Sequence, residues 1–93
     1  VSVYVDPLFE YGGSAAFKWK HSCHMYADTL EELHAMAKKI GMRSEWFQNK
    51  ENGDLPHYDL RDSRRVKAIM FGAVEHTRHQ MVEYRRARRE SNV

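Results

Sequence analysis

Three short segments hold the residues with the most chemical potential: His24-Met25-Tyr26-Ala27-Asp28, Trp46-Phe47-Gln48 leading to His57-Tyr58-Asp59, and Val74-Glu75-His76-Thr77. A histidine beside a carboxylate can move protons near neutral pH, and two histidines with an aspartate can hold a metal ion with a position left open. Neither use is encoded by spacing. There is no His-Glu-x-x-His and there are no paired cysteines, so no catalytic residue, metal ligand or cofactor is assigned on this basis. Hydrogen bonding of His24 and His57 to backbone groups at strand ends is the plain alternative.

Binding is the better expectation. Arg65 falls near the apolar stripe of a helix, where its guanidinium could grip a phosphate or carboxylate through two parallel hydrogen bonds, or pair with Asp59 or Asp62. Trp46, Phe47, Tyr58 and Tyr4 could offer a flat face to a nucleobase, although such residues more often fill a core. Gln48 has the donor and acceptor needed to read an amide-like edge. The candidate ligand-binding set is Tyr4, Asp6, His24, Trp46, Gln48, His57, Tyr58, Asp59 and Arg65.

The elements that must position these residues follow from periodicity. Val1, Val3 and Val5 alternate with polar partners up to Pro7, which predicts a first strand. A loop containing Gly12-Gly13 follows, then a second strand with Phe17, Trp19, His21, Cys23 and Met25 on one face. Thr29 and Glu32 have capping-box spacing, and a helix carrying Leu30, Leu33, Ala37 and Ile40 should run to Gly41. Met42 to Gln48 reads as a third strand, broken by a polar loop from Asn49 to Asp54. A second helix capped by Asp62 or Ser63 carries Val66, Ile69 and Met70 inward and stops at Gly72. Ala73 to His76 is the last strand, and Thr77 with Gln80 opens a third helix bearing Met81 and Tyr84.

Strands alternating with helices imply an α/β fold: one small domain with a four-stranded, mostly parallel or mixed sheet covered by three helices. Residues 1–77 form the core, and 78–93 a basic helix attached to it. In such sheets strand ends converge on one edge, which is where a ligand crevice is expected.

Composition limits the partners. In 93 residues, fifteen Lys and Arg against thirteen Asp and Glu leave a formal charge of +2, too small to demand nucleic acid. The run Arg85-Arg86-Ala87-Arg88-Arg89 makes nucleic-acid binding a possible use but not the favoured one, since cations also suit a helix C-terminus. A single cysteine, Cys23, rules out an internal disulfide and favours the cytoplasm. No apolar run reaches the roughly 20 residues of a membrane helix. So small a core makes a homo-oligomer a reasonable expectation.

The opening Val-Tyr-Val-Asp, Cys23-His24-Met25 with Ala27-Asp28, Glu32-Leu33-His34 with Ile40-Gly41, Trp46-Phe47-Gln48, His57-Tyr58-Asp59-Leu60, and Arg65 before Gly72-Ala73 together resemble domain of unknown function 4031, a family of small bacterial and phage proteins. The resemblance covers most of residues 1–77 and implies a shared α/β domain with a polar edge, without an activity. It does not extend to the basic tail. The reading that results is a non-enzymatic module that binds a nucleotide-like or other phosphorylated small anion, with sequestration of a host nucleotide signal as one use in a phage. The enzymatic alternative is a phosphoesterase or nuclease-like site with His57 as acid or base, Asp59 orienting it and Arg65 stabilising developing charge.

Overall fold

The computed structural model describes residues 2–10, 21–49 and 55–91. The elements in chain order are strands β1 (Val3–Val5), β2 (Phe9–Glu10) and β3 (His21–Ala27), helix α1 (Leu30–Lys39), a 3-10 turn (Ser44–Trp46), strand β4 (Tyr58–Leu60), helix α2 (Asp62–Met70), strand β5 (Val74–Glu75) and helix α3 (Arg78–Ser91). Gly12-Gly13, Phe17, Trp19 and residues 50–54 lie outside the described residues.

β3 is the spine of a mixed sheet. β1 pairs with it antiparallel, Val5 opposite Met25, and β4 pairs antiparallel on its other edge, with Tyr58 opposite the same Met25. β5 lies parallel to β1. After Asp6 the register advances by one residue, so that Phe9 faces Ser22. Pro7, with no N–H to give a ladder, sits in that irregularity. Four of the five strands thus run one way and β3 the other, and α2 makes the crossover from β4 to β5.

Alternation along the strands separates two faces. Val3, Val5, Cys23, Met25, Ala27, Tyr58 and Leu60 are buried with Leu33, Met36, Ala37 and Ile40 of α1 and Ala68 of α2. The opposite face is unusually polar for a covered sheet, carrying Asp6, His24, Tyr26 and Asp59, and α3 lies against it. There Tyr84 packs on Tyr4 and Tyr26 at 5.0 and 5.3 Å between ring centroids.

Local chemistry explains the helix ends. Thr29 Oγ1 accepts from the Glu32 N–H and donates to the Glu32 carboxylate. Thr77 and Gln80 form the full reciprocal box, each backbone N–H meeting the other's side chain at 2.8 and 3.1 Å. α1 and α2 both end in glycines with positive φ, Gly41 at 82° and Gly72 at 104°. In each case the next N–H reaches back five residues, Met42 to Ala37 and Ala73 to Ala68.

Four expectations need correction. The segment 42–48 is not a strand: it forms the 3-10 turn and its backbone pairs with the chain before β4 through the single Gln48–His57 bridge, and the next strand is instead Tyr58–Leu60. α2 has no side-chain cap at its N-cap, Arg61, because the Asp62 carboxylate bonds only to the adjacent Ser63 N–H. Of the three residues expected to face inward, Ile69 packs partly buried against the core beside the fully buried Ala68, while Val66 and Met70 are 57% and 79% exposed. The close approach of α2 to the sheet selects a small side chain, which a search for bulky apolar residues reads out of phase. Leu30 is likewise exposed, and Met36 takes its place in the core.

Candidate functional site

β3 and β4 place His24 directly opposite Asp59, and Gln48 holds His57 beside them through paired backbone bonds of 2.9 and 3.0 Å. The His24 and His57 rings meet edge to face at 4.9 Å. Both Nε2 atoms point at one oxygen, Asp59 Oδ1, at 3.9 Å from His24 and 3.5 Å from His57.

Each of the three side chains is held from behind. His24 Nδ1 lies 2.9 Å from Asp6 Oδ2, and Asp6 Oδ1 accepts the His24 backbone N–H at 2.6 Å. His57 Nδ1 donates to the carbonyl of Leu55 at 2.7 Å. Gln48 Nε2 donates to Asp59 Oδ2. Burial acts to raise the Asp59 carboxyl, but the His57 hydrogen bond, the charges of His57 and His24 and the Gln48 bond outweigh it, leaving the group below its ordinary value.

Beside the histidines is a cavity of about 40 Å³ lined by His24, Tyr26, Leu55, His57, Met81 and Arg85. It has room for a water or a small ion and not for a nucleotide. On the other side of Asp59, at the carboxyl end of β4, a larger hollow of about 180 Å³ is lined by Met42, Trp46, Asp59, Arg61, Ser63 and Arg64. The Arg43 and Arg64 guanidinium groups each lie 5.9 Å from the Trp46 ring centroid. Arg64 also donates to the Gly41 carbonyl at 2.9 Å, which ties the end of α1 to this rim.

The sequence candidates therefore divide. Asp6, His24, Gln48, His57 and Asp59 come together, and Trp46 stands at the adjoining hollow. Arg65 does not join them, because α2 carries it past the end of β1, where Nε donates to the Asp6 carbonyl at 2.9 Å and the guanidinium pairs with Glu75 at 3.3 Å. Tyr58 is 1% exposed on the opposite face of the sheet, its hydroxyl 2.8 Å from His34 Nδ1. Tyr4 is engaged with Asp28 at 3.1 Å and stacks on His76 at 4.3 Å. Tyr26 OH lies 2.7 Å from His76 Nδ1, so the third histidine segment builds an aromatic cluster and not the site. Cys23 is fully buried, and burial followed by the Asp6 charge pushes its thiol up to about 12.

Residues missed by sequence reasoning are Arg61, Ser63 and Arg64 at the start of α2, and Arg85. Their signal was positional. Arg61 and Arg64 stand one turn apart beside a strand end, and Met81, Arg85 and Arg88 recur at i, i+4 and i+7 on α3. Arg88 spans to the Ala27 and Asp28 carbonyls at 3.3 and 3.1 Å, so two cations of the basic run turn inward and Arg86 remains outside, 3.4 Å from Glu83.

The family described as protein of unknown function (DUF4031) matches residues 3–88, and the chain belongs to it; the match takes in α3 as far as Arg88, beyond the residues 1–77 to which the resemblance was expected to be confined. No curated protein and no solved structure matches the chain significantly. Among the described residues, no helix is long and apolar enough to cross a membrane.

Proposed function

We propose that this domain binds a phosphorylated small molecule with a flat ring, of nucleotide type, in the hollow between Trp46 and the amino end of α2. The observation that carries the reading is the composition of that hollow: Trp46, 41% exposed, with Arg61, Ser63 and Arg64 around one space of about 180 Å³. Trp46 would stack on the ring, and Arg61 and Arg64 would meet the anion in place of the expected Arg65. Asp59, shared with the histidine cluster, is the acceptor for a sugar hydroxyl or a ring N–H. The hollow encloses part of a mononucleotide and leaves the remainder in solvent.

Calorimetric titration with linear and cyclic mononucleotides, against inorganic phosphate and ribose, tests this. Stacking is worth about 1–3 kcal/mol, so Trp46→Ala should weaken nucleotide binding about tenfold or more while Trp46→Phe retains most of it. Arg61→Ala should weaken phosphate-bearing ligands and leave nucleosides alone. Absence of heat and of thermal stabilisation across the panel, or affinities indifferent to both substitutions, removes the proposal. Chromatography of the recovered ligand separates a binding module, which returns it intact, from a phosphoesterase, which does not. Self-association would use the exposed Val66, Met70, Phe71 and Val74 beside edge strand β5, and light scattering of Met70→Lys against the parent chain reads it.

A further inference from the structure

The geometry points to a divalent transition-metal site formed by His24 Nε2, His57 Nε2 and Asp59 Oδ1, with open coordination toward Tyr26, Met81 and Arg85. One donor atom from each of the three residues lies within 4.8 Å of the other two. Two ligands about 2.1 Å from an ion, at tetrahedral or octahedral angles, stand roughly 3.0–3.4 Å apart. The separations from Asp59 Oδ1, 3.5 and 3.9 Å, are close to that, so small side-chain adjustments close the site.

The outer hydrogen bonds supply the second argument. The Leu55 carbonyl can only accept, so His57 Nδ1 carries a proton, which leaves Nε2, the atom facing Asp59 Oδ1, as the nitrogen that binds a metal once a cation displaces any proton there. The Asp6 carboxylate imposes the same tautomer on His24. Gln48 occupies Asp59 Oδ2 and leaves Oδ1 turned inward. Two imidazole nitrogens and a carboxylate oxygen thus converge on one point, each oriented by a carboxylate, a carbonyl or an amide as metal ligands are. A proton on one imidazole would satisfy one edge of this triangle, whereas a cation satisfies all three corners. Asp6 and Asp59 supply the two negative charges that balance a divalent ion.

Donor type and access define the class. Two imidazoles and one carboxylate suit Zn²⁺, Co²⁺, Ni²⁺ or Fe²⁺, while Mg²⁺ and Ca²⁺ favour oxygen-only sets. The ligand side chains are 29%, 15% and 22% exposed, and the adjoining cavity of about 40 Å³ holds a water or one oxygen of an anion. Three protein ligands with such a space beside them describe an accessible site, not a closed structural one. The metal site and the Trp46 hollow share Asp59 alone, so Trp46→Ala leaves metal affinity unchanged and the two proposals fail separately.

The test is titration of the full chain, stripped with a chelator, with Zn²⁺ by calorimetry and with Co²⁺ by visible absorption. The expected result is one ion per chain, visible Co²⁺ bands from nitrogen and oxygen donors, and no heat from Mg²⁺. Gln48→Ala, which disturbs an outer bond, and Asp6→Asn, which disturbs another and removes one balancing charge, should lower Zn²⁺ affinity about 10–100-fold, and His57→Ala by more. Circular dichroism of the metal-free variants confirms folding, and His57→Gln replaces any variant that does not fold. No Zn²⁺ heat at millimolar metal, or one-to-one binding of equal affinity in His57→Ala or His57→Gln, would overturn the site.

Discussion

Replacing Tyr84 with phenylalanine removes one oxygen and should loosen α3 from the sheet. Tyr84 OH donates to Asp28 Oδ1 at 2.7 Å, and the same carboxylate takes the Tyr4 hydroxyl at 3.1 Å and the Ser2 N–H at 2.9 Å. Burial, and then the Asp28 bond, push the Tyr84 phenol up to about 12, so it remains a donor throughout the accessible pH range. Burial acts to raise the Asp28 carboxyl as well, but the bonds from Tyr84, Ser2 and Tyr4 outweigh it and hold the group below its ordinary value. A hydrogen bond to a charged acceptor contributes about 1.5–3 kcal/mol. Because water reaches Asp28, we take the lower end, about 1.5 kcal/mol, which lowers the melting temperature by roughly 6–12 °C in a domain of this size.

The pH dependence gives the sign. A carboxyl depressed by folding contributes stability that is fully present above its unfolded value of about 3.9 and is lost as pH falls through the folded value. Below that point Asp28 is protonated, the contact becomes a neutral one, and the gap between the parent chain and Tyr84→Phe should shrink by about half. Urea unfolding followed by circular dichroism at neutral and acid pH, with Asp28→Asn and the double variant completing a cycle, measures the pairwise part. A gap that does not change with pH, together with additive single effects, would refute the reasoning and assign the docking of α3 to apolar packing alone.

Gly72 has a φ of 104° and nothing within 4 Å of an added Cβ, so Gly72→Ala should cost only backbone strain, about 1–2 kcal/mol, read from the denaturation midpoint. Met70→Ser, at a position 79% exposed, should stay within about 0.5 kcal/mol of the parent. Ala68→Leu, at a fully buried position, should cost about 1–3 kcal/mol by overpacking, and reversal of that order would contradict the phase of α2. Cys23 is 0% exposed, so a maleimide should label it only as fast as the protein opens, and rapid labelling of the folded chain would contradict that burial. Arg88→Ala should lower the melting temperature by several degrees and Arg86→Ala should not, since only Arg88 bonds strand carbonyls.

Much of the fold was legible locally. The capping residues Thr29 and Thr77 and the terminal Gly41 and Gly72 act within one turn of the backbone, so α1, the end of α2 and the start of α3 follow from neighbours in the chain. The segment around Trp46 was misread because bulky aromatics favour strands only where an edge is there to receive them. The edge of β3 is taken by Tyr58–Leu60, and 44–46 turns instead.

The candidate residues His24, His57, Asp59, Gln48 and Asp6 were recognisable by type. Which of them act together was not, because the register that sets His24 against Asp59 at one level, and Asp6 behind His24, comes from strand pairing between segments 18 to 35 residues apart. The same pairing turns Tyr58 to the opposite face and leaves Arg65 with Glu75. Side-chain identity and short-range hydrogen bonding determined the elements and the chemical repertoire. Sheet register and the docking of α3 decided which groups face one another, since a one-residue slip in a strand carries every side chain to the other side.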